Sequence, residues 1–213
     1  MELVFFHGWA LDHHFWTPLA KHLGLRTHFF DRGYFGEPQM PELPQGPFLI
    51  ITHSYGLHQV PTHWFEQAAG LVIIGGFLEF HPKGPLEKAS RRGLKQMRAG
   101  LKEDPASTLE QFYLGAASLG HPPYPVKTDY AVDLLETDLQ ALDTCCLDPA
   151  SLAGVGRILI AQGEADQVVL PAKAEELAQA LPQAQRVMYA QSEHDLGHFQ
   201  AAPLGQDIQE RLL

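Results

Sequence analysis

Cysteine is nearly absent from this 213-residue chain, and the two present, Cys145 and Cys146, are neighbours. Adjacent Cα atoms lie about 3.8 Å apart, short of ordinary disulfide geometry, so the pair reads as two buried thiols suited to a reducing compartment. Positive charge is also scarce: 15 Lys and Arg stand against 25 Asp and Glu, for a formal net charge of -10. Nucleic-acid binding needs a positive surface field, so that class of partner is excluded. No apolar run approaches the ~20 residues that span a bilayer. The opening Met1-Glu2-Leu3-Val4-Phe5-Phe6 has neither a basic n-region nor a small-residue cleavage pattern, so no export signal is inferred. The expectation is a cytoplasmic protein that engages no membrane. Repeats, low-complexity tracts and linkers are missing too, and with 45% hydrophobic and 19% charged residues the chain reads as one globular domain with room for a small insertion.

What is present is a rhythm. Short β-rich apolar runs recur at residues 2–6, 26–31, 48–53, 71–76, 157–162 and 186–190, and most are separated by segments with the apolar spacing of helices. Such alternation implies an α/β fold with a mostly parallel sheet of about six strands, flanked by helices. Between about 81 and 150 the rhythm breaks. Residues 86–103, 106–118 and 129–142 read as helices, interrupted by Gly120-His121-Pro122-Pro123-Tyr124-Pro125, and no strand is convincing there. The expected organisation is a core of residues 1–80 and 151–213 with a helical lid, 81–150, inserted between core strands.

In parallel sheets ligands bind beyond the carboxyl ends of the strands, so the residues just after each run carry the chemical information. The third run stops at Thr52-His53-Ser54-Tyr55-Gly56, one substitution away from G-x-S-x-G, the turn that projects a nucleophilic serine from a sheet. Small residues around a serine are common in ordinary turns, so the pentapeptide alone is a weak signal. After the first run comes His7-Gly8-Trp9-Ala10, a glycine turn able to present the Trp9 N–H; with the Tyr55 N–H it would form an oxyanion hole. A tight turn with a packed tryptophan is the plainer reading of that segment. The fifth run ends at Gly163-Glu164-Ala165-Asp166, where Asp166 can orient a histidine or simply cap the next helix. The last run leads into Gln191-Ser192-Glu193-His194, and a histidine on that loop can serve as general base. Each signal is weak alone, with twelve histidines in the chain. Jointly they follow four different strands in the order Ser54, Asp166, His194, which is the order of a Ser-Asp-His hydrolase. Asp31-Arg32-Gly33-Tyr34-Phe35-Gly36, after the second run, reads as structural.

On these motifs the chain resembles the α/β-hydrolase superfamily over nearly its whole length. Within it, His7-Gly8-Trp9, Asp31 to Gly36, Ser54, Gly163-x-x-Asp166 and His194 look most like the pimeloyl-acyl-carrier-protein methyl ester esterases of biotin synthesis. Gly93-Leu94-Lys95-Gln96, Glu110-Gln111-Phe112-Tyr113-Leu114 and Leu134 to Leu139 are similar, more loosely, to that family's cap helices. The resemblance implies a serine carboxylesterase with a Ser54-His194-Asp166 triad. Its substrate would be a small or short-acyl ester, such as a methyl ester on an acidic acyl carrier protein, and it would use no cofactor and no metal. Thioesterase and carbon–carbon hydrolase chemistry use the same devices, and a non-catalytic ligand-binding protein of this fold is the reading from a different class. His198 is the alternative base and Glu79 the alternative acid. Asp12-His13-His14 alone lacks a convincing metal-ligand set.

Seven of the fifteen basic residues lie between Lys83 and Lys102, with Glu87 the only acid in the window before Glu103. Arg91, Lys95, Arg98 and Lys102 fall on one helical face. The ordinary reading is a solvated surface; the resemblance implies docking of an acidic carrier protein. Three departures from the family pattern follow. Thr52 replaces the first elbow glycine, Pro61 should shorten the helix behind Ser54, and about seventeen residues between Gly36 and Ser54 leave little room for a helix there. The chain begins at the strand carrying the oxyanion turn, so no leading hairpin is expected and residues 26–31 should form a sheet edge.

Overall fold

The computed structural model describes residues 1–118 and 120–213. Six strands, β1 (Glu2–Phe6), β2 (Arg26–Phe30), β3 (Phe48–His53), β4 (Gly70–Ile74), β5 (Ile158–Gly163) and β6 (Ala184–Tyr189), form one sheet. Its order is β2-β1-β3-β4-β5-β6, and every pairing is parallel. The runs at 2–6 and 48–53 coincide with strands, and the other four are displaced by one or two residues at an end. At β4 the reason is visible: Gly75 turns to φ +52 and takes the chain off the sheet, although the apolar pattern continues.

Position in the sheet explains strand composition. β3, β4 and β5 are buried at every residue, as central strands covered on both faces must be. β2 and β6 are the edges and are mostly half-buried or exposed. Successive residues point to opposite faces, so Leu3, Phe5, Leu49, Ile51, Val72 and Ile74 share one core, and Val4, Phe6, Ile50, Leu71 and Ile73 the other.

The first core is covered by α1 (Thr17–Leu23), by three helices between β4 and β5 and, late in the chain, by α8 (Ala201–Leu212). The second is covered by the short α2 (Thr62–Phe65), through Trp64 and Phe65, and by α6 (Ala172–Ala180), through Ala174 and Leu177. The three helices between β4 and β5 are α3 (Glu87–Glu103), α4 (Pro105–Ala116) and α5 (Val132–Leu142). They close over the first core with Leu94, Leu101, Leu109, Tyr113, Leu135, Leu139 and Leu142. Pro105 cannot continue α3 and instead takes the first position of α4, where its missing N–H costs nothing. Asp104 caps that start by accepting from the Ser107 N–H at 3.0 Å. The one-turn helix α7 (Leu196–Phe199) leads into α8.

Pro61 acts as its place in the chain predicts. Ser54–Gln59 winds as a tight 3-10 turn, Val60 and Pro61 are extended, and α2 is a single turn. No helix intervenes between β2 and β3. One expectation is corrected. Only Cys145 is half-buried, and burial pushes its thiol up to about 11; Cys146 is exposed. Cys146 lies in an isolated bridge with Glu79 on the surface, so it has no core to enter. No helix among the described residues is long and apolar enough to cross a membrane.

Candidate active site

Because all six strands run in parallel, their carboxyl ends share one edge, and the residues singled out above follow β1, β3, β5 and β6 there. Ser54 takes φ +53, a left-handed conformation that costs a non-glycine residue about 1–3 kcal/mol and clusters at functional sites. The turn fits only because its neighbours are small. A Cβ on Gly56 would lie 2.2 Å from the Phe6 carbonyl oxygen, and one on Gly8 would lie 2.8 Å from His53 Nδ1 and 3.0 Å from the Ser54 Cβ. Thr52, where a glycine was expected, is fully buried and donates from Oγ1 to the Val72 carbonyl at 3.1 Å. The hydroxyl binds along the sheet and is accommodated there.

His194 and Asp166 meet across β5 and β6. The His194 Nδ1 lies 2.8 Å from Asp166 Oδ2, and both residues are buried. A carboxylate accepts, so Nδ1 carries the proton and Nε2 keeps its lone pair, the tautomer of a general base. Asp166 also caps the turn after β5: Oδ1 accepts from the Val168 and Val169 N–H groups at 2.9 Å each. Gln162 Nε2 donates to Oδ2 at 3.0 Å. Capping and orienting are thus divided between the two oxygens. Beneath the pair runs Gly75, where a Cβ would come within 3.3 Å of His194 Nδ1 and 3.5 Å of Asp166 Oδ2.

The His194 loop is braced from two sides. Ser118, after α4, donates through N–H and hydroxyl to the Asp195 carboxylate, and its Oγ accepts from the Glu193 N–H at 3.2 Å. On the other side the Ala165 N–H donates to the Ser192 carbonyl at 3.0 Å, and Gly163 leaves space for that approach. His53 completes the support. Its Nε2 donates to the His194 carbonyl at 2.8 Å, and the two rings pack with centroids 4.6 Å apart.

Ser54 opens into a cavity of about 250 Å³ walled by Trp9, Phe80, Leu94, Met97, Phe112 and Val168. Trp9 is tied by Nε1–H to the Leu135 carbonyl at 2.9 Å and set edge-on to Phe112. Its backbone N–H makes no hydrogen bond among the described residues, and Ala10 beside it holds φ +55. The Tyr55 N–H belongs to the first turn of a 3-10 segment, where no partner exists within the helix. Among the described residues, two N–H groups without a partner therefore stand at the turns flanking Ser54. No hydrogen bond reaches the Ser54 hydroxyl among the described residues, and in free enzymes such contacts tighten when substrate binds.

Solved structures with this arrangement of strands and helices are numerous. A bromoperoxidase from Bacillus anthracis superimposes with a TM-score of 0.78 at 18% identity, covering 98% of this chain and 90% of the other. An esterase from Exiguobacterium antarcticum gives 0.77 at 14% identity, with 99% and 91% covered. An enol-lactonase from Burkholderia xenovorans gives 0.73 at 15%, with 98% and 90% covered. The chain has the α/β-hydrolase fold. No family model and no curated protein matches its sequence.

Within this α/β-hydrolase fold the remaining candidates are engaged with other partners. His198 points its Nδ1 at the Phe15 carbonyl, 2.8 Å away. Glu79 pairs with Lys83 at 4.0 Å and meets Cys146 Sγ at 3.8 Å. Asp12, His13 and His14 do not converge: Asp12 accepts from the His14 N–H and pairs with Lys127, while His13 meets Asp31. Asp31 is held well below the usual carboxylate range; burial pushes it up, and the nearby His7 ring, with hydrogen bonds from His13 and the Gly33 N–H, outweighs that.

The basic stripe is not what charge spacing implied. Arg91 binds Glu87 at 3.0 Å and Asp143 at 2.7 Å, and Arg98 and Lys102 both reach Glu136, at 3.3 and 2.9 Å. Glu87 apart, the balancing acids come from α5 and the residue after it, 34 to 52 positions away in sequence. Of the four, only Lys95 has no ion pair among the described residues.

Proposed function

We propose that the protein is a serine carboxylesterase that hydrolyses small or short-acyl esters through an acyl-enzyme on Ser54. The observation that carries the reading is a serine at φ +53 on the same sheet edge as a buried His194–Asp166 pair 2.8 Å apart. His194 Nε2 takes the Ser54 proton as Oγ attacks the ester carbonyl, and the Trp9 and Tyr55 N–H groups receive the developing oxyanion. The imidazolium, stabilised by Asp166, returns the proton to the leaving alcohol. Water then attacks the acyl-enzyme with His194 again as base, releasing the acid and free Ser54. The apolar cavity beside Ser54 suits an acyl chain, and at about 250 Å³ it lies below the usual range for drug-sized ligands.

The finer form of the proposal is a methyl ester delivered by an acidic acyl carrier protein, docked on the outer face of α3. Lys88, Arg92 and Lys95 are exposed at i, i+4 and i+7 of that helix and enter no ion pair among the described residues. They are better placed for this than the neutralised Arg91, Arg98 and Lys102.

The test is direct. A fluorophosphonate probe is expected to label Ser54, and Ser54→Ala is expected to lower hydrolysis of p-nitrophenyl butyrate by about 10⁴-fold or more. An unlabelled folded protein, or a variant as active as the parent, would falsify the esterase reading.

A further inference from the structure

Outside the Ser54 edge the molecule carries a second line of serine, histidine and aspartate. His81, which precedes α3, is 6% exposed. Its Nδ1 lies 2.7 Å from Ser90 Oγ and its Nε2 lies 2.9 Å from Asp143 Oδ1. Its carbonyl accepts from the buried Lys173 Nζ at 2.8 Å. Asp143 is further fixed by Arg91 at 2.7 Å, and Arg91 by Glu87. Ser90 is therefore a hydroxyl with a fixed direction, on the first turn of α3. It also lines the cavity that holds Ser54, as does Gln167.

Proton bookkeeping says what this hydroxyl offers. The Asp143 carboxylate only accepts, so His81 carries a proton on Nε2; with the ring neutral, Nδ1 accepts the Ser90 hydroxyl proton. Ser90 Oγ then presents lone pairs alone. Gln167 donates one Nε2–H to the Ala165 carbonyl at 3.2 Å, and its Oε1 is an acceptor. Trp9 Nε1 is already spent on Leu135. Away from Ser54, the polar side chains lining an otherwise apolar cavity are thus the acceptor-only Ser90 oxygen and the exposed Gln167 amide, whose Oε1 also accepts. A staple between α3 and the segment after α5 would need no hydroxyl on the cavity wall.

We infer that Ser90, with Gln167, forms a distal subsite of the Ser54 cavity that binds a hydroxyl or amide N–H carried on the acyl group of the substrate. His81 and Asp143 are positioning residues that aim the Ser90 oxygen. The inference rests on the esterase reading and narrows its substrate class to acyl groups with a hydrogen-bond donor along the chain. Sites built to hydrogen-bond a substrate discriminate against analogues that lack the group, because the site's own polar atoms are then left unpaired.

The experiment compares kcat/KM for methyl esters of straight-chain acids with those of their ω-hydroxy counterparts, over a series of chain lengths. At the length that reaches Ser90 the ω-hydroxy ester is expected to be preferred about fivefold, the yield of one ordinary hydrogen bond. Ser90→Ala should bring that ratio to about one, and His81→Phe should lower it. A parent protein with no preference at any length would overturn the inference, and so would a Ser90→Ala variant that slows both esters in parallel and keeps the ratio, the signature of a staple. If Ser90→Ala does not fold, the parent's ratio still decides. Failure of the esterase reading looks different: no labelling and no turnover of either ester. In that event calorimetric binding of the paired acids to Ser54→Ala protein decides for Ser90 on the same ratio.

Discussion

His53 donates through Nε2 to the His194 carbonyl, while its Nδ1 is buried without a partner and faces the Gly8 turn too closely to admit even a Cβ. That environment suits a neutral ring. Burial, followed by the neighbouring His194, holds the His53 imidazole well below its ordinary value of 6.5. The sign of the consequence is fixed by linkage: below pH ~6.5 the unfolded chain binds a proton that the folded one refuses, so stability falls as pH drops from there. His58, half-buried and donating to the Phe77 carbonyl, is also lowered by its burial and adds to the same trend. His53→Gln keeps a donor within reach of the His194 carbonyl and removes the titration. The expected outcome is a flatter melting temperature between pH 7 and 5, measured by circular dichroism. A variant whose melting temperature falls as steeply as the parent's would assign the acid sensitivity elsewhere.

The candidate site residues were legible in the sequence to the extent that each combines a distinctive side chain with a strand end. Ser54, Asp166, His194 and Trp9 qualify. Gln162, Gly75, Ser118 and Asp195 were missed because their work is done through contacts that sequence spacing does not encode: Ser118 reaches Asp195 across 77 residues, and Gly75 matters only because His194 and Asp166 lie over it.

At the scale of elements, the informative piece is α5. Asp138 on its buried face takes two hydrogen bonds from Arg32, at 2.7 and 2.9 Å, and one from the Tyr34 hydroxyl at 2.6 Å. One turn earlier, the Leu135 carbonyl holds the Trp9 ring. The segment Asp31 to Gly36, read as structural, is therefore the anchor that seats α5 over the Trp9 turn. Sequence analysis found both α5 and the turn, yet could not join them, because the partners are 106 residues apart. The same blindness made the α3 stripe look unbalanced. Asp138→Ala should leave the Arg32 charge and the Tyr34 hydroxyl unpaired. The expected loss is about 2 kcal/mol by urea denaturation, less than for a fully buried pair because Arg32 keeps some access to water. Ester hydrolysis should fall with it, since Trp9 loses a fixed ceiling. Unchanged stability would mean that α5 is seated by its leucines alone.

For the molecule as a whole, fold class was readable because a parallel sheet writes itself as repeated apolar runs and covering helices, and because strand ends collect the chemistry at one edge. Charge at this scale was readable only as an imbalance. The chain carries -10 overall, and the exposed cations of α3, Lys88, Arg92 and Lys95, stand out against that background. A localised positive face on an acidic protein steers an acidic partner by long-range attraction, an effect that disappears when the Debye length shrinks to about 3 Å near 1 M salt. Reversing all three to glutamate should therefore raise KM for an ester on an acidic acyl carrier protein several-fold at low salt, with the difference closing at high salt. Reversing Lys21, Arg157 and Arg211 together, exposed cations away from α3, supplies the comparison at equal net charge. If the two triple reversals change KM equally at low salt, the effect is one of total charge and the α3 face is not the docking surface.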